Sequence, residues 1–490
     1  MWYNELTTTQ KHQGGAIMMQ QKNDSVNTQI DGFETTHQSL TGRAGLTIVS
    51  RYIRANRITE LLHDMFGFLR KSAKGQTLST IFKQLLLFFI DGTDFHLTRF
   101  DQLKRDKAYA QTIEVKQSQL LSSHAMKRFF ASFTRLRVFL FRKVLQSLFL
   151  WRLQIEQPKT IKIGIDTMVL DNDDALKREG VEPTYKKVKG FQPLQAYWGR
   201  FLIDAIFREG KAHSNHGNHV QRMVVRLVQL IRRHYKADVP IILLADTGFY
   251  DEKLFLLCEK LEIGFIIGGK IYQDIAEFVT SMPDKHFFEY AKHGKSWLYC
   301  EFGHKRKSWT RFWRTVYACS KTDDTKQYYL EFARPDTILH TNLGMNNAVT
   351  NMLIKIHNQA NPDQLAKSIT PEALLRAYHN RARDELVNRG IKDFGTEQLP
   401  FKNFTANAAY YYVMAIAFNL FEAFKHDIKS EVVPISMFAS TFRRKVLDLA
   451  GQIIHHARKT IIKISSVAAE ALDFSKLWEN SLKATQIILV

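Results

Sequence analysis

The sequence predicts a mixed α/β core, preceded by helices, interrupted by a β-rich insertion and followed by more helices. Three observations predict it. Apolar residues recur at helical spacing from Leu46 to Leu153. From Lys162 the period changes, and short apolar runs alternate with amphipathic stretches as far as Ile267. A long segment with short strand-like runs then precedes two more helical stretches, Tyr378 to Lys392 and Asn407 to Phe424.

Taken in order, residues 1–40 are rich in Gln, Thr, Asn and Gly without an apolar period, and read as a mobile arm. Ile48, Tyr52, Ile53, Ile58, Leu61, Leu62 and Met65 mark a first helical face. Leu78 to Ile90 is an apolar helix that Asp91-Gly92 should end, and Ser122-Ser123 should start another. Ile161 to Leu170, Gln192 to Trp198 and Phe201 to Phe207 read as strands, the last two joined at Gly199-Arg200. His219 to His234 is an amphipathic helix, Pro240 to Ala245 a buried strand, Lys253 to Leu261 a helix and Gly264 to Ile267 a strand. Three strands, helix, strand, helix, strand is the order of an RNase H-like domain with a mixed five-stranded sheet, an analogy of fold alone.

Composition bounds the partners. At 490 residues, with 45% hydrophobic content and 35 Phe, the chain has ample core. A net charge of +21 is the footprint of a polyanion partner. The most apolar stretch, Phe129 to Leu153, carries Arg135, Arg137, Arg142, Lys143 and Arg152, too many charges for a membrane span. Cys258, Cys300 and Cys319 form no disulfide framework and no secretory signal is evident, so a reduced, cytoplasmic setting is expected. The basic residues of 41–157, among them Lys104, Arg105, Lys107, Lys127 and Arg128, read as a helical DNA-binding domain. A helical cap on the main core is the alternative.

The chemistry centres on Y-H-N-R-A-R-D-E-L-V-N-R-G-I-K, where Arg381, Glu385 and Lys392 follow Tyr378 by three, seven and fourteen residues. At about 100° per residue these four fall within about 60° of one another on a helix. Such a face can offer a carboxylate to a metal ion and cations to phosphate oxygens. It could also be a solvated basic helix whose acid pairs with a nearby Arg. Gly390 weakens the helix before Lys392, which falls near its end. Two further acids stand out. Asp166 lies in the apolar run I-G-I-D-T, and Asp246 ends I-I-L-L-A-D-T-G. Separately, one could be a paired core acid and the other a plain turn. Three converging carboxylates raise one another's pKa unless a divalent cation neutralises them. An oxygen-only ligand set points to Mg²⁺, with Mn²⁺ a substitute.

With these motifs the chain resembles bacterial insertion-sequence transposases of the DDE type, in the group with the Y-R-E-K signature. Asp166, Asp246 and Glu385 match its three acidic motifs, with Tyr378, Arg381 and Lys392 at the family spacing. K-G-F-Q-P-L-Q (189–195) and F-I-D-G-T-D-F (89–95) add to a likeness over roughly residues 40 to 430. The resemblance implies a DNA transposase that cleaves element ends at inverted repeats and joins them to target DNA, as a homodimer in a synaptic complex. It implies that the three acids hold two Mg²⁺ ions, that Arg381 and Lys392 grip phosphates and that Tyr378 positions them. A silent DNA-binding repressor or a general nuclease of the same fold are the alternatives.

About 140 residues separate Asp246 from Glu385, too many for a minimal core, so 275–345 is expected to be a β-rich insertion between core segments 158–274 and 346–428. Strands are expected at Trp297 to Tyr299, Thr315 to Ala318 and Gln327 to Ala333. The insertion stretch H-K-R-K-S-W-T-R-F-W-R (304–314) mixes cations with aromatics, which makes Trp309 and Trp313, with Trp297, candidates for stacking on DNA bases. Core tryptophans in an ordinary hairpin are the alternative. His213, His216 and His219 have no Cys or fourth ligand nearby, which speaks against zinc. Residues 429–490 are expected to be a helical C-terminal region.

Overall fold

The computed structural model describes residues 30, 32–70, 75–175, 177–215, 217–292, 295–320, 336–358, 369–380 and 382–489. Residues up to Gln38 and residues from Ser39 onward form two units. Most of the expected N-terminal arm lies outside the described residues, as does the expected strand Gln327 to Ala333. Among the described residues, every strand and helix belongs to the second unit.

That unit opens with a short strand β1 (Ser39–Thr41) and the helices α1 (Leu46–Asn56), α2 (Ile58–Phe66), α3 (Leu78–Asp91), α4 (Arg99–Leu103), α5 (Lys107–Thr112), α6 (Ser123–Ala131) and α7 (Arg135–Glu156). The expected stop and start signals act as the sequence predicts. Gly92 ends α3 at φ +56°, and the Ser122 hydroxyl caps α6 by accepting from Ala125 N. Strands β2 (Ile161–Thr167), β3 (Leu170–Asp171), β4 (Glu182–Pro183), β5 (Lys189–Phe191), β6 (Leu194–Trp198) and β7 (Phe201–Ile206) precede α8 (His219–His234), β8 (Ile241–Ala245), α9 (Glu252–Lys260) and β9 (Gly264–Gly268). Then come α10 (Gln273–Ser281), β10 (Phe288–Lys292), β11 (Lys295–His304), β12 (Trp313–Ser320), β13 (Thr337–Thr341), α11 (Ala348–Asn358), α12 (Pro371–His379), α13 (Ala382–Phe394) and α14 (Phe404–Ile428).

One mixed sheet of nine strands organises the unit, in the order β10-β11-β12-β13-β9-β8-β2-β6-β7. β2, β8 and β9 are parallel, while β6 and β7 add antiparallel beside β2. β8 (I-I-L-L-A) and β9 (G-F-I-I-G) are buried at every position, as parallel strands covered on both faces must be. The expected five-stranded sheet is corrected here. The insertion strands do not stand apart; they continue the same sheet, because Leu339, His340 and Thr341 of β13 pair with Gly268, Ile267 and Ile266 of β9. An open edge with unpaired backbone groups recruits further strands, and a sequence pattern cannot announce which edge will be extended.

The core is built on α14, which is buried over almost its whole length. Asn403 caps it, accepting from Ala406 N at 3.1 Å. The hydroxyls of Tyr410 and Tyr412 donate to carbonyls of Phe95 (3.3 Å) and Ala205 (2.8 Å), so the rings bury without orphaned oxygens. Asn419 brackets Leu202, donating to its carbonyl at 2.7 Å and accepting from its N–H at 2.9 Å, which seals the edge strand β7. Helices α3 and α7 pack on α14, and residues of 46–153 join the sheet in one continuous apolar core.

Two arginines of α7 find carboxylate partners. Arg142 makes a two-pronged pair with Asp204 of β7, at 2.7 and 2.6 Å, and Gln146 adds a third donor at 3.1 Å. Arg152 reaches Asp427 at 2.6 Å. Replacing Arg142 by Met should leave Asp204, which is wholly buried, without its cation. A loss of about 3–5 kcal/mol in unfolding free energy is expected in a denaturant titration, and much of it should return in the double variant Arg142→Met, Asp204→Leu.

The expected helical C-terminal region is also corrected. It contains a hairpin, β14 (Gly451–His456) and β15 (Lys459–Ile464), and β14 pairs with β1. Its Ile453-Ile454 and Thr460-Ile461-Ile462 runs are β-branched, and Ala457 and Arg458 turn the chain at positive φ.

Candidate active site

Two of the three expected acids are brought together by the sheet. β2 and β8 are parallel neighbours with Ile165 beside Ala245, so Asp166 and Asp246, the residues next in each chain, leave the same end of adjacent strands. Both are half-buried. The Asp166 carboxylate accepts from Thr167 N at 2.7 Å through Oδ1 and from Asn388 Nδ2 at 2.9 Å through Oδ2. Asp246 Oδ1 accepts from Gly248 N at 2.9 Å. A side chain on Gly248 would meet that oxygen and the Ser214 hydroxyl at about 3 Å, so those side chains would have to shift to admit it.

Neighbouring groups report the field of the pair. Burial raises the pKa of the Tyr185 phenol, and the charges of Asp166 and then Asp246 push it further in the same direction. The Tyr185 hydroxyl donates to Thr167 O at 3.5 Å. Behind the end of β2, the buried Arg208 donates to Thr167 Oγ1 (3.2 Å), Gln192 O (2.9 Å) and His213 O (3.0 Å). Burial brings this guanidinium down to about 10.

The Y-R-E-K stretch is broken between two helices. Tyr378 lies in the last turn of α12, and Glu385 and Lys392 lie in α13. Arg381 and the side chain of Glu385 lie outside the described residues. The backbone still places the stretch at the site, since Asn388 of α13, one turn after Glu385, holds Asp166. Tyr378 reaches the site from the other side. Its hydroxyl lies against Gly268 at the end of β9, where a Cβ would collide with it and come within 3.0 Å of the Thr247 hydroxyl. Lys392 is taken up by Glu397, at 2.6 Å, and the same Glu397 oxygen accepts from Asp171 N.

Among the described side chains, which omit Glu385, no three His, Cys, Asp or Glu are grouped to hold a metal ion. His216 also lies outside the described residues. Two carboxylates at adjacent strand ends, oriented by Thr167 N, Asn388 Nδ2 and Gly248 N, nevertheless suit a hard divalent cation.

The tryptophans correct an expectation. Trp313 is 0% and Trp309 7% exposed. Trp313 packs edge-on against Phe255 and Phe265, and Trp309 against Tyr250 and His340. Neither face is open to a base, because the 304–314 stretch folds back on α9. Glu252 accepts from Thr310 N at 2.7 Å, and Arg311 pairs with Glu259 at 2.5 Å. Trp297 is half-buried between Tyr290 and His379, tying the insertion to α12. The aromatic of this stretch that faces outward is Phe312, 64% exposed, in a stretch whose Lys305 and Lys307 are also exposed. Composition marked the stretch but could not separate inward from outward rings.

Sequence reasoning missed Asn388, Tyr185, Arg208 and Gly268. Only Asn388 had a signal, its position one helical turn after Glu385. The others reach the site through tertiary contacts.

The sequence model of the family described as transposase DDE domain group 1 matches residues 19–485. No curated protein sequence matches the chain. Among solved structures, a piggyBac transposase synaptic complex with hairpin DNA is similar at 13% identity and a TM-score of 0.32, over 84% of this chain and 82% of that one.

Proposed function

The chain belongs to the transposase DDE domain family and is a DNA transposase, and from that premise we propose that Asp166, Asp246 and Glu385 form its catalytic acid set at the ends of its own mobile element. The observation that carries this is the meeting of Asp166 and Asp246 at adjacent strand ends, with the helix that bears Glu385 bonded to Asp166 through Asn388. The order β7-β6-β2-β8-β9 within the larger sheet supports an RNase H-like core.

Mg²⁺, or Mn²⁺ in its place, would be held by the three acids and would supply Lewis-acid stabilisation of an in-line phosphoryl displacement. The chain's own groups do the rest. Thr167 N and Asn388 orient the Asp166 carboxylate, Gly248 N orients Asp246, and Arg208 holds the Thr167 hydroxyl beside Asp166. Tyr378, whose hydroxyl lies beside Gly268, would position phosphates near the end of β9, and Arg381 is proposed to grip the adjacent phosphate. Lys392 would exchange Glu397 for a phosphate oxygen. The homodimeric synaptic complex and the DNA-binding role of residues 41–157 belong to the same proposal. Among the described residues no helix is long and apolar enough to cross a membrane.

The test is cleavage of a labelled end duplex with Mg²⁺, Mn²⁺ or chelator, beside a gel shift on the same DNA. Metal-dependent nicking is expected. A specific shift by an assembled dimer that never nicks with either metal would leave a binder in place of an enzyme.

Phe312 and Trp313 should respond to truncation in opposite ways. Phe312→Ala should leave the unfolding midpoint unchanged and weaken binding to DNA with an unpaired end by about 1–3 kcal/mol. Trp313→Ala should instead cost about 3–5 kcal/mol of fold stability by opening a cavity against Phe255 and Phe265. The reverse pattern, with Phe312→Ala unfolding and Trp313→Ala selectively losing DNA, would return the stacking role to the tryptophan.

A further inference from the structure

We infer that Asn388 is a positioning residue that fixes the Asp166 carboxylate for a divalent cation through a hydrogen-bonded chain anchored in the core. This rests on the proposed acid set. Asp166 and Gln195 are direct partners in the β2–β6 ladder, and Gly164 faces Tyr197 two residues away. Gln195 Nε2 donates to the buried Tyr411 hydroxyl of α14 at 2.5 Å. The Tyr197 hydroxyl faces two acceptors, Gln195 Oε1 and Asn388 Oδ1, and shares its one proton between them. Asn388 Nδ2 then donates to Asp166 Oδ2 at 2.9 Å.

The chemistry of the amide sets the direction of this chain. Asn388 offers one acceptor and one donating group, and a carboxylate only accepts. The NH₂ end must face Asp166, which leaves the carbonyl oxygen for the Tyr197 hydroxyl. A neutral donor holds the carboxylate without cancelling its charge, whereas Lys or Arg here would compete with a cation for it. Carboxylates that bind metal are commonly oriented by such a second partner.

Val387 and Ile391 bury α13 on either side of Asn388, but a space remains under the helix. A cavity of about 680 Å³ lies beneath it, lined by Val387 and Gly390 of the helix and by Gly164, Tyr197 and Leu244 of the sheet. The Asn388 amide bridges helix to sheet next to these residues, so one bond fixes Asp166 Oδ2 and ties down the helix that carries Glu385.

The test is Mn²⁺ binding to the full-length protein without DNA, followed by electron paramagnetic resonance of the free ion, with an end-DNA gel shift alongside. Asn388→Leu keeps the volume and removes the donor. It should weaken Mn²⁺ binding about tenfold or more, leave the gel shift within twofold of wild type and shift nicking to higher metal concentration. Tyr197→Phe, which keeps both Asn388 and Asp166, should weaken Mn²⁺ in the same direction by a smaller factor. Asp166→Ala should abolish the site. If Asp166→Ala abolishes it while Asn388→Leu and Tyr197→Phe both bind Mn²⁺ as wild type does, the positioning role is overturned and the acid set stands. Should Asn388→Leu lose its circular-dichroism melting transition, Tyr197→Phe alone decides, with unchanged binding again overturning the role. Wild-type protein without a Mn²⁺ site, or Asp166→Ala with an unaltered one, overturns the acid set and this inference together.

Discussion

Replacing Asp166, Asp246 or Glu385 by Ala is expected to lower metal-dependent cleavage of end DNA by about 10³-fold or more while the gel shift stays the same or tightens. Each change removes a proposed metal ligand, so the chemical step should suffer. Each also removes negative charge facing the DNA phosphates, so binding should not. The three losses should be similar in size, and a double variant such as Asp166→Ala, Asp246→Ala should be little worse than either single one, because the acids act as one unit. Single-turnover nicking of a labelled duplex measures the rate, and the gel shift measures binding on the same preparation. Parallel losses of binding and cleavage would show that these acids support the fold near β2 and β8 and not the chemistry. Arg381→Ala should differ from all three by weakening both position and rate, since a cation on a phosphate acts in ground and transition states alike.

Affinity for end DNA should fall by about 10³-fold or more between 50 and 200 mM salt if about six phosphates are contacted. The motive is the +21 net charge. Within the structure many of the interior cations are already spoken for: Arg142 by Asp204, Arg152 by Asp427 and Lys425 by Glu422. The salt slope should therefore come from exposed residues such as Lys305, Lys307 and Arg135, and neutralising Lys305 and Lys307 together should lower it by about two phosphates' worth. A titration by fluorescence anisotropy across that salt range reads the slope directly. An affinity that hardly changes with salt would remove the polyanion argument.

What the sequence determined by itself was whatever local spacing encodes. The helix His219–His234 occurs with the bounds that its 3.6-residue apolar period predicts. Asp166 and Asp246 were marked because a charge inside an apolar strand run is costly without a purpose, and Tyr378, Arg381, Glu385 and Lys392 because their spacing would gather them on one side of a single helix. Tertiary structure decided the rest. The meeting of the two acids depends on β2 and β8 becoming parallel neighbours, a pairing between segments some 75 residues apart. The Y-R-E-K stretch itself is divided, with Tyr378 in one helix and Glu385 in the next. The insertion became part of the main sheet because β13 found the open edge of β9, and Trp309 and Trp313 turned inward because α9 offered Glu252 and Glu259 to the loop between them. Asn388, Tyr185 and Arg208 gained their places beside the acids only from neighbours remote in the chain. Periodicity records which face of an element is apolar, but which element that face will meet is settled by the packing of the whole core.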